Sequence, residues 1–234
     1  MKIETVKEKT YFTKALFYGN PGVGKTTLAA TFPNPVFLDY DRGTHTLKTQ
    51  QGFEGVRVAQ PSTFSEARDF LRAVAAGKVE GCETVIIDTL TVMQNRLLID
   101  VGREAHAKDP AKYDEDTNSQ RDYNKVTNAI FKAIWDYREL PLHFVIITHA
   151  KEDTNDQTGA FTIRPDLTPR LSNIVCGMMD IVGYYAMAGN PQKDGANRLL
   201  TVMPTPKLVA KNRIGLATTL KDPTYHTFNG KKMN

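Results

Sequence analysis

The eight residues Gly19, Asn20, Pro21, Gly22, Val23, Gly24, Lys25 and Thr26 (GNPGVGKT) match the pattern G-x-x-x-x-G-K-[ST] in full. They follow a short apolar run at 15–19 and precede a helical pattern at 25–32 that stops at Pro33. Glycines permit a compact loop whose backbone N–H groups converge on an anion, and the following helix adds the positive end of its dipole. In such a loop Lys25 reaches the β- and γ-phosphates of a nucleoside triphosphate, and the Thr26 hydroxyl ligates magnesium. A chance glycine-rich turn can satisfy the pattern, but a position between a buried strand and a helix is the context the motif requires. Residues 19–26, with Thr27 behind them, are the expected site for ATP and Mg2+.

The rest of the chain repeats this alternation. Apolar runs at 35–39 (PVFLD), 56–59, 84–88 (TVIID) and 142–148 (LHFVIIT) are separated by helical patterns. Runs of this kind, apolar throughout rather than at every second residue, are strands buried on both faces of a mostly parallel sheet. Thr63 and Glu66 form a capping-box pair ahead of a helix that lines up Phe64, Ala67, Phe70, Leu71 and Val74. A further helix is expected near 92–103, and another where Tyr123, Val126, Ile130, Ile134 and Tyr137 recur at spacings of three and four. The polar stretch 106–119 reads as a long loop, and 156–159 as a turn between two extended arms. Residues 180–187 and 198–203 read as consecutive strands joined by a Gly/Asn/Pro turn, so the last third is expected to be antiparallel. The tail 230–234 is expected to be disordered. No internal repeat or interdomain linker is evident, and one α/β domain over 1–234 is expected, its core at about 14–215.

Composition narrows the setting. With 41% hydrophobic residues, the chain has enough apolar material for a sizeable core. No apolar run approaches the roughly 18 residues of a membrane span. The first twelve residues lack the apolar segment of a secretory signal. Two cysteines, Cys82 and Cys176, make neither a disulfide framework nor a metal site and suit a reducing compartment, so a cytoplasmic location with no membrane partner is expected. The net charge of +4 permits a polyanionic partner without requiring one.

Asp88, at the end of TVIID, is the expected acidic partner of the magnesium. AAA+ ATPases commonly follow that aspartate with a glutamate base; here the next residue is Thr89. The strand PVFLDYD offers Asp39 and Asp41 instead. Period-two alternation points both to one side, with Asp41 nearer the tip, where a carboxylate can take a proton from an attacking water.

These motifs, in this order, resemble the RecA-like recombinase ATPases, and more closely the small phage-encoded RecA-like proteins associated with single-strand annealing (the phage nucleotide-binding protein family). The likeness covers most of residues 14–215. It implies an α/β RecA-like P-loop NTPase core, with a mostly parallel central sheet flanked by helices and antiparallel strands at the C-terminal end. In the family a catalytic glutamate follows a strand of the type FIDAE, which FLDYD at 37–41 resembles, so Asp41 is implied as the base, one methylene shorter. A later strand, here FVIITH, ends in a residue that senses the γ-phosphate; Thr148 and His149 take that place, His149 where the family often has glutamine. Two basic residues one apart reach a neighbour's ATP in the family, and Lys211 and Arg213 in KLVAKNRIG match them.

By the same resemblance, single-stranded DNA binds the segment after the sensor strand, where Lys151, Phe161, Arg164 and Arg170 supply cations for phosphates and a ring for a base. The loop near 106–121, with Lys108, Lys112 and Arg121, is a second candidate weakened by its acidic cluster at 114–116. The implied function is an ATP-hydrolysing, DNA-stimulated recombination protein that promotes annealing or strand pairing. It would assemble with copies of itself as a head-to-tail ring or filament, with a single-strand-binding protein as a further partner. Two alternatives stand beside it: an annealing protein that binds ATP with little hydrolysis, and a helicase-loader-type replication ATPase. Thr89 and the strand-rich last third count against the second.

Overall fold

The computed structural model describes residues 11–114, 117–154, 159–189 and 197–229. The expected disordered tail at 230–234, most of the turn at 156–159 and most of the turn joining 180–187 to 198–203 lie outside them.

The chain runs β1 (Lys14–Gly19), α1 (Lys25–Ala30), β2 (Pro35–Asp39), a 3-10 helix (Gly43–Thr49), β3 (Arg57–Ala59), α2 (Phe64–Ala75), β4 (Thr84–Asp88), α3 (Leu90–Lys108) and α4 (Gln120–Glu139). It continues through β5 (His143–Thr154), β6 (Phe161–Pro165), α5 (Pro169–Met178), β7 (Ile181–Ala188), β8 (Asn197–Thr201), β9 (Lys211–Asn212), β10 (Thr219–Lys221) and α6 (Tyr225–Asn229). The sheet order is β10-β8-β7-β1-β5-β4-β2-β3, with β6 added to β5 and β9 to β7. Strands β7, β1, β5, β4, β2 and β3 are parallel, while β6, β8, β9 and β10 are antiparallel to their neighbours. The sequence expectation of a mostly parallel sheet with an antiparallel C-terminal end holds.

Alternation along the buried strands sorts the core into two layers. Phe17, Ile86, Val145 and Ile147 pack with Leu28 of α1 and Phe228 of α6. Leu16, Val85, Ile87, Phe144 and Ile146 pack on the other face with Leu71, Met93, Ile130 and Val175 from α2 to α5. Both faces are covered by helices, which is why the strands are apolar throughout.

Several boundaries differ from expectation. The helix expected to end near 103 continues to Lys108, because the polar residues after Arg103 are good helix formers on a solvent-facing side. Ser119 and Asp122 close a capping box on α4, whose apolar stripe begins at Val126; Tyr123 is 37% exposed. The strand expected to stop at Thr148 runs on to Thr154, because its outer half leaves the parallel sheet and pairs with β6, Ala150 opposite Pro165 and Thr154 opposite Phe161. Residues beyond 215 also join the fold: β10 extends the sheet beside β8, and Phe228 packs on Phe17 and Phe32 with ring centroids 5.5 and 5.8 Å away. Among the described residues, no helix is long and apolar enough to cross a membrane.

At the foot of the sheet His143 is caged by Phe12, Phe32 and Tyr225, with ring centroids at 5.6, 5.9 and 5.1 Å. Its Nδ1 accepts the Thr13 N–H at 2.9 Å, which leaves the ring proton on Nε2, 3.2 Å from the Tyr225 hydroxyl. Burial, reinforced by the Lys14 ammonium, pushes its pKa down to about 4. The unfolded chain therefore takes up a proton near pH 6.5 that the native ring refuses. Stability from this group is complete above that pH and is lost as pH falls toward 4. Denaturant melts at pH 5 are expected to lie about 1–2 kcal/mol below those at pH 7.5 on this account, and His143→Gln should flatten that part of the slope.

Candidate functional site

Strand β1 delivers the phosphate loop at the C-terminal end of the parallel strands. Gly22 and Gly24 have φ of 80° and 95°, and Gly24 starts α1 with no side-chain cap. Leu28 N–H bonds back to the Gly24 carbonyl at 2.9 Å, so the first-turn N–H groups of Lys25, Thr26 and Thr27 have no helical acceptor and face the loop. Lys25 is buried, and its Nζ donates to the carbonyls of Gly19 and Asn20, both at 2.9 Å. Burial lowers its pKa, while Asp88 and Asp41 act in the opposite direction.

The Thr26 hydroxyl donates to Asp88 Oδ2 at 2.8 Å. Asp88 ends β4 one strand away from β1, with β5 between them. Burial drives its pKa up to about 7, against the Thr26 hydrogen bond and with a contribution from Asp41 and Asp39. A buried carboxylate beside a hydroxyl is the hard-oxygen pair that magnesium takes when phosphate oxygens and water complete its shell. The residues present fit the ion. Among the described residues no group of three or more His, Cys, Asp or Glu could hold a metal ion.

The residue after Asp88 has another task. Thr89 caps α3, its hydroxyl accepting from Val92 N–H at 3.3 Å. Asp39 and Asp41 do lie on one side, both accepting from the Gly43 N–H at 3.2 and 3.1 Å. Asp39 is buried and also takes the N–H and hydroxyl of Thr44, so it holds the turn. Asp41 is exposed and has only the Gly43 bond. Of the two it is the carboxylate with free lone pairs beside Lys25 and Asp88.

His149 pairs in register with Gly19, and its N–H donates to Thr91 Oγ1 at 3.1 Å. Alternation from Ile147, which packs in the α1 layer, puts His149 on the phosphate-loop face. Thr148 falls on the opposite face beside Tyr18, where its hydroxyl is buried without a partner. The two residues expected at the sensor position are thus divided between the faces.

The profile of a family described as an AAA domain matches residues 12–214. The chain belongs to this AAA-domain family. No curated protein matches it. Among solved structures, a KaiC-like protein, PH0186 from the hyperthermophilic archaeon Pyrococcus horikoshii OT3, is similar at 16% identity and TM-score 0.50, over 89% of this chain and 84% of that one. The RadB recombinase is similar at 12% identity and TM-score 0.49, over 81% of each chain. The α/β fold is that of RecA-like P-loop NTPases, as the motif order implied. The AAA domain here nevertheless departs from the AAA+ pattern, with Thr89 after the acidic strand and strands β7 to β10 in its last third.

Beyond His149 the AAA domain extends the β5–β6 hairpin. Arg164 bonds Asp153 and donates to the carbonyls of Pro165 and Leu167 at 3.3 and 2.9 Å, with its side chain only 15% exposed. It bolts the hairpin to the domain. Lys151, opposite it in register, remains about half exposed, 3.8 Å from Asp153. Phe161 is half-buried, and Arg170 stays on the surface with Asn124 Oδ1 at 2.7 Å. In the second candidate loop, Glu115 and Asp116 lie outside the described residues.

Lys211 and Arg213 sit elsewhere. Strand β9 meets β7 at Ile181 and Val182, level with Ala15 and Leu16 and thus near the start of β1, not its phosphate-loop end. Lys211 Nζ donates to the carbonyls of Cys176 and Gly177 at 3.0 and 2.6 Å, capping α5. Arg213 faces Asp180 at 3.6 Å.

One neighbour of the phosphate loop was not anticipated. A Cβ built on Gly24 would lie 2.9 Å from Nε of Arg198, on β8. The sequence placed Arg198 at a strand start and carried no motif that ties a late antiparallel strand to the loop.

Proposed function

We propose that the domain binds and hydrolyses ATP with magnesium, binds single-stranded DNA, and promotes annealing or strand pairing as a head-to-tail assembly. The observation that carries this reading is the continuity of β5. One twelve-residue strand holds His149 beside Gly19 and goes on to carry Lys151 where it pairs with β6. A change at the γ-phosphate would be carried along one strand to Lys151, whose ammonium is about half exposed.

Thr26 and Asp88 would hold the magnesium, which neutralises phosphate charge when bound. Asp41 orients a water and takes its proton as the oxygen attacks the γ-phosphorus. The bond to the β-phosphate oxygen breaks, and ADP and phosphate leave. Lys25 stabilises the charge on the transferred group. His149 reads the presence of that group. The resemblance implies that Lys211 and Arg213 reach a neighbour's nucleotide, for which Lys211 would have to leave the carbonyls of Cys176 and Gly177. Release of phosphate then loosens the assembly and the grip on DNA. A cytoplasmic setting and a phage origin belong to this same proposal.

ATP hydrolysis measured with and without single-stranded DNA tests the reading. Stimulation by DNA that is lost on Lys151→Ala supports it; turnover indifferent to DNA overturns the DNA half and leaves an ATPase answering to another partner. Asp41→Asn is expected to lower kcat about 10²- to 10⁴-fold, with ATP affinity little changed. The short reach of Asp41, and its bond to Gly43, favour a second reading in which ATP fixes the shape of an annealing protein and turns over slowly. Wild-type turnover at background, with annealing that still needs ATP, would select it.

A further inference from the structure

Strand β8 places Arg198 opposite Met187 on β7. Its backbone is pinned from both sides by Asp222: the Arg198 N–H donates to Asp222 Oδ1 at 2.8 Å, and its carbonyl accepts from Asp222 N–H at 2.7 Å. The side chain crosses to the phosphate loop. A Cβ on Gly24 would stand 2.9 Å from Nε, 3.3 Å from Cδ and 3.4 Å from Cζ, so the arginine side chain packs against the loop at the level of Nε because that residue has no side chain. Nε is shut off from solvent and has no hydrogen-bond partner. Among the described residues no carboxylate pairs with the guanidinium. The Asp222 carboxylate, which such an arginine would be expected to recruit, is spent on the backbone instead.

An arginine N–H removed from water without an acceptor is costly and is retained where a ligand supplies the acceptor. Here the group beside it is the loop that carries Lys25 and Thr26. Phosphate oxygens are the acceptors for which a planar guanidinium fork is best matched.

We propose that Arg198 is a ligand of the nucleotide's phosphate chain, supplied in cis by the β7–β8 hairpin across Gly24. This rests on the reading of residues 19–26 as a nucleotide site. It gives that site a second cation besides Lys25, approaching from the antiparallel end of the sheet. It also ties the position of β8 to the occupancy of the loop.

The test is calorimetric binding of MgATP and, separately, of inorganic tripolyphosphate, to the wild-type chain and to Arg198→Met, Arg198→Lys and Lys25→Ala. Arg198→Met keeps the alkyl stem over Gly24 and removes the charge, so loss of packing is not confounded with loss of a ligand. The expected result is a rise in Kd of about tenfold to a hundredfold for both probes in Arg198→Met. Arg198→Lys should recover part of the loss, and the melting temperatures without ligand should stay close to wild type. Equal affinity of Arg198→Met and wild type for both probes overturns the proposal and leaves the arginine as packing. A loss confined to MgATP, with tripolyphosphate unaffected, also overturns it, since the contact would then be to base or ribose. If wild type and Lys25→Ala bind both probes alike, the nucleotide reading of the loop fails, and this proposal with it.

Discussion

Lys25→Ala is expected to lower ATP turnover by about 10³-fold or more, because the ammonium is the one cation inside the loop that can follow charge onto the transferred phosphoryl group. The same substitution should change the stability of the ligand-free chain by no more than about 1 kcal/mol. The two expectations differ because of what the amine does in the folded protein. It is buried, and burial alone lowers its pKa, so holding it there carries a desolvation cost. Its bonds to the Gly19 and Asn20 carbonyls, each 2.9 Å, offset that cost without much surplus. Removing the side chain removes both contributions together. Phosphate-release assays and urea melts on one preparation separate the effects. Wild-type turnover in Lys25→Ala would move the chemistry away from residues 19–26, whereas a loss matched by collapse of the melt would make Lys25 structural.

Much of this site was legible because its signals are local. The phosphate loop is a run of eight residues whose glycines and lysine state their own chemistry, and TVIID carries Asp88 to a strand tip by its apolar length alone. Alternation correctly brought Asp39 and Asp41 to one side. It said nothing of which was already engaged, since that depends on the hydroxyl and N–H of Thr44 in the turn that follows. The same alternation, carried one residue past Ile147, separates His149 from Thr148, a distinction the motif resemblance had merged. Strands of two or three residues, such as β9 and β10, are too short for any period to mark, and the five-residue α6 is likewise below it. Arg198 was the least legible. Its importance comes from a hairpin folding back over a loop far away in the chain, and no local pattern encodes that approach. Lys211 and Arg213 show the converse: a spacing that matched a family pattern, with a position in the fold that no spacing could supply.

Gly19→Ala is expected to cost about 3 kcal/mol or more, a fall in melting temperature of roughly 6–12 °C for a chain of this size. The reason is not the one usually attached to glycines in phosphate loops. Gly19 does not need a positive φ; it ends β1 in extended backbone, where alanine is conformationally acceptable. What it lacks is room. A Cβ there would lie 2.1 Å from the carbonyl oxygen of Tyr185, a backbone atom of the neighbouring strand β7, with Val23 at 3.4 Å behind it. Relief requires β1 and β7 to part in the middle of the sheet, where Ala15 to Tyr18 pair with Ile181 to Tyr184 and Phe17 is fully buried. Gly22→Ala is the informative comparison. Its φ of 80° strains an L-residue, yet nothing lies within 4 Å of the added carbon. Its cost should be about 1–2 kcal/mol. Thermal melts of both variants without nucleotide would rank them. If Gly19→Ala melts within a degree of wild type, β7 slides freely against the loop, and the β7–β8 hairpin cannot hold Arg198 at a defined distance from Gly24. If it falls well below Gly22→Ala, the first glycine of the loop is there to admit the neighbouring strand, and its association with phosphate is a consequence of that packing.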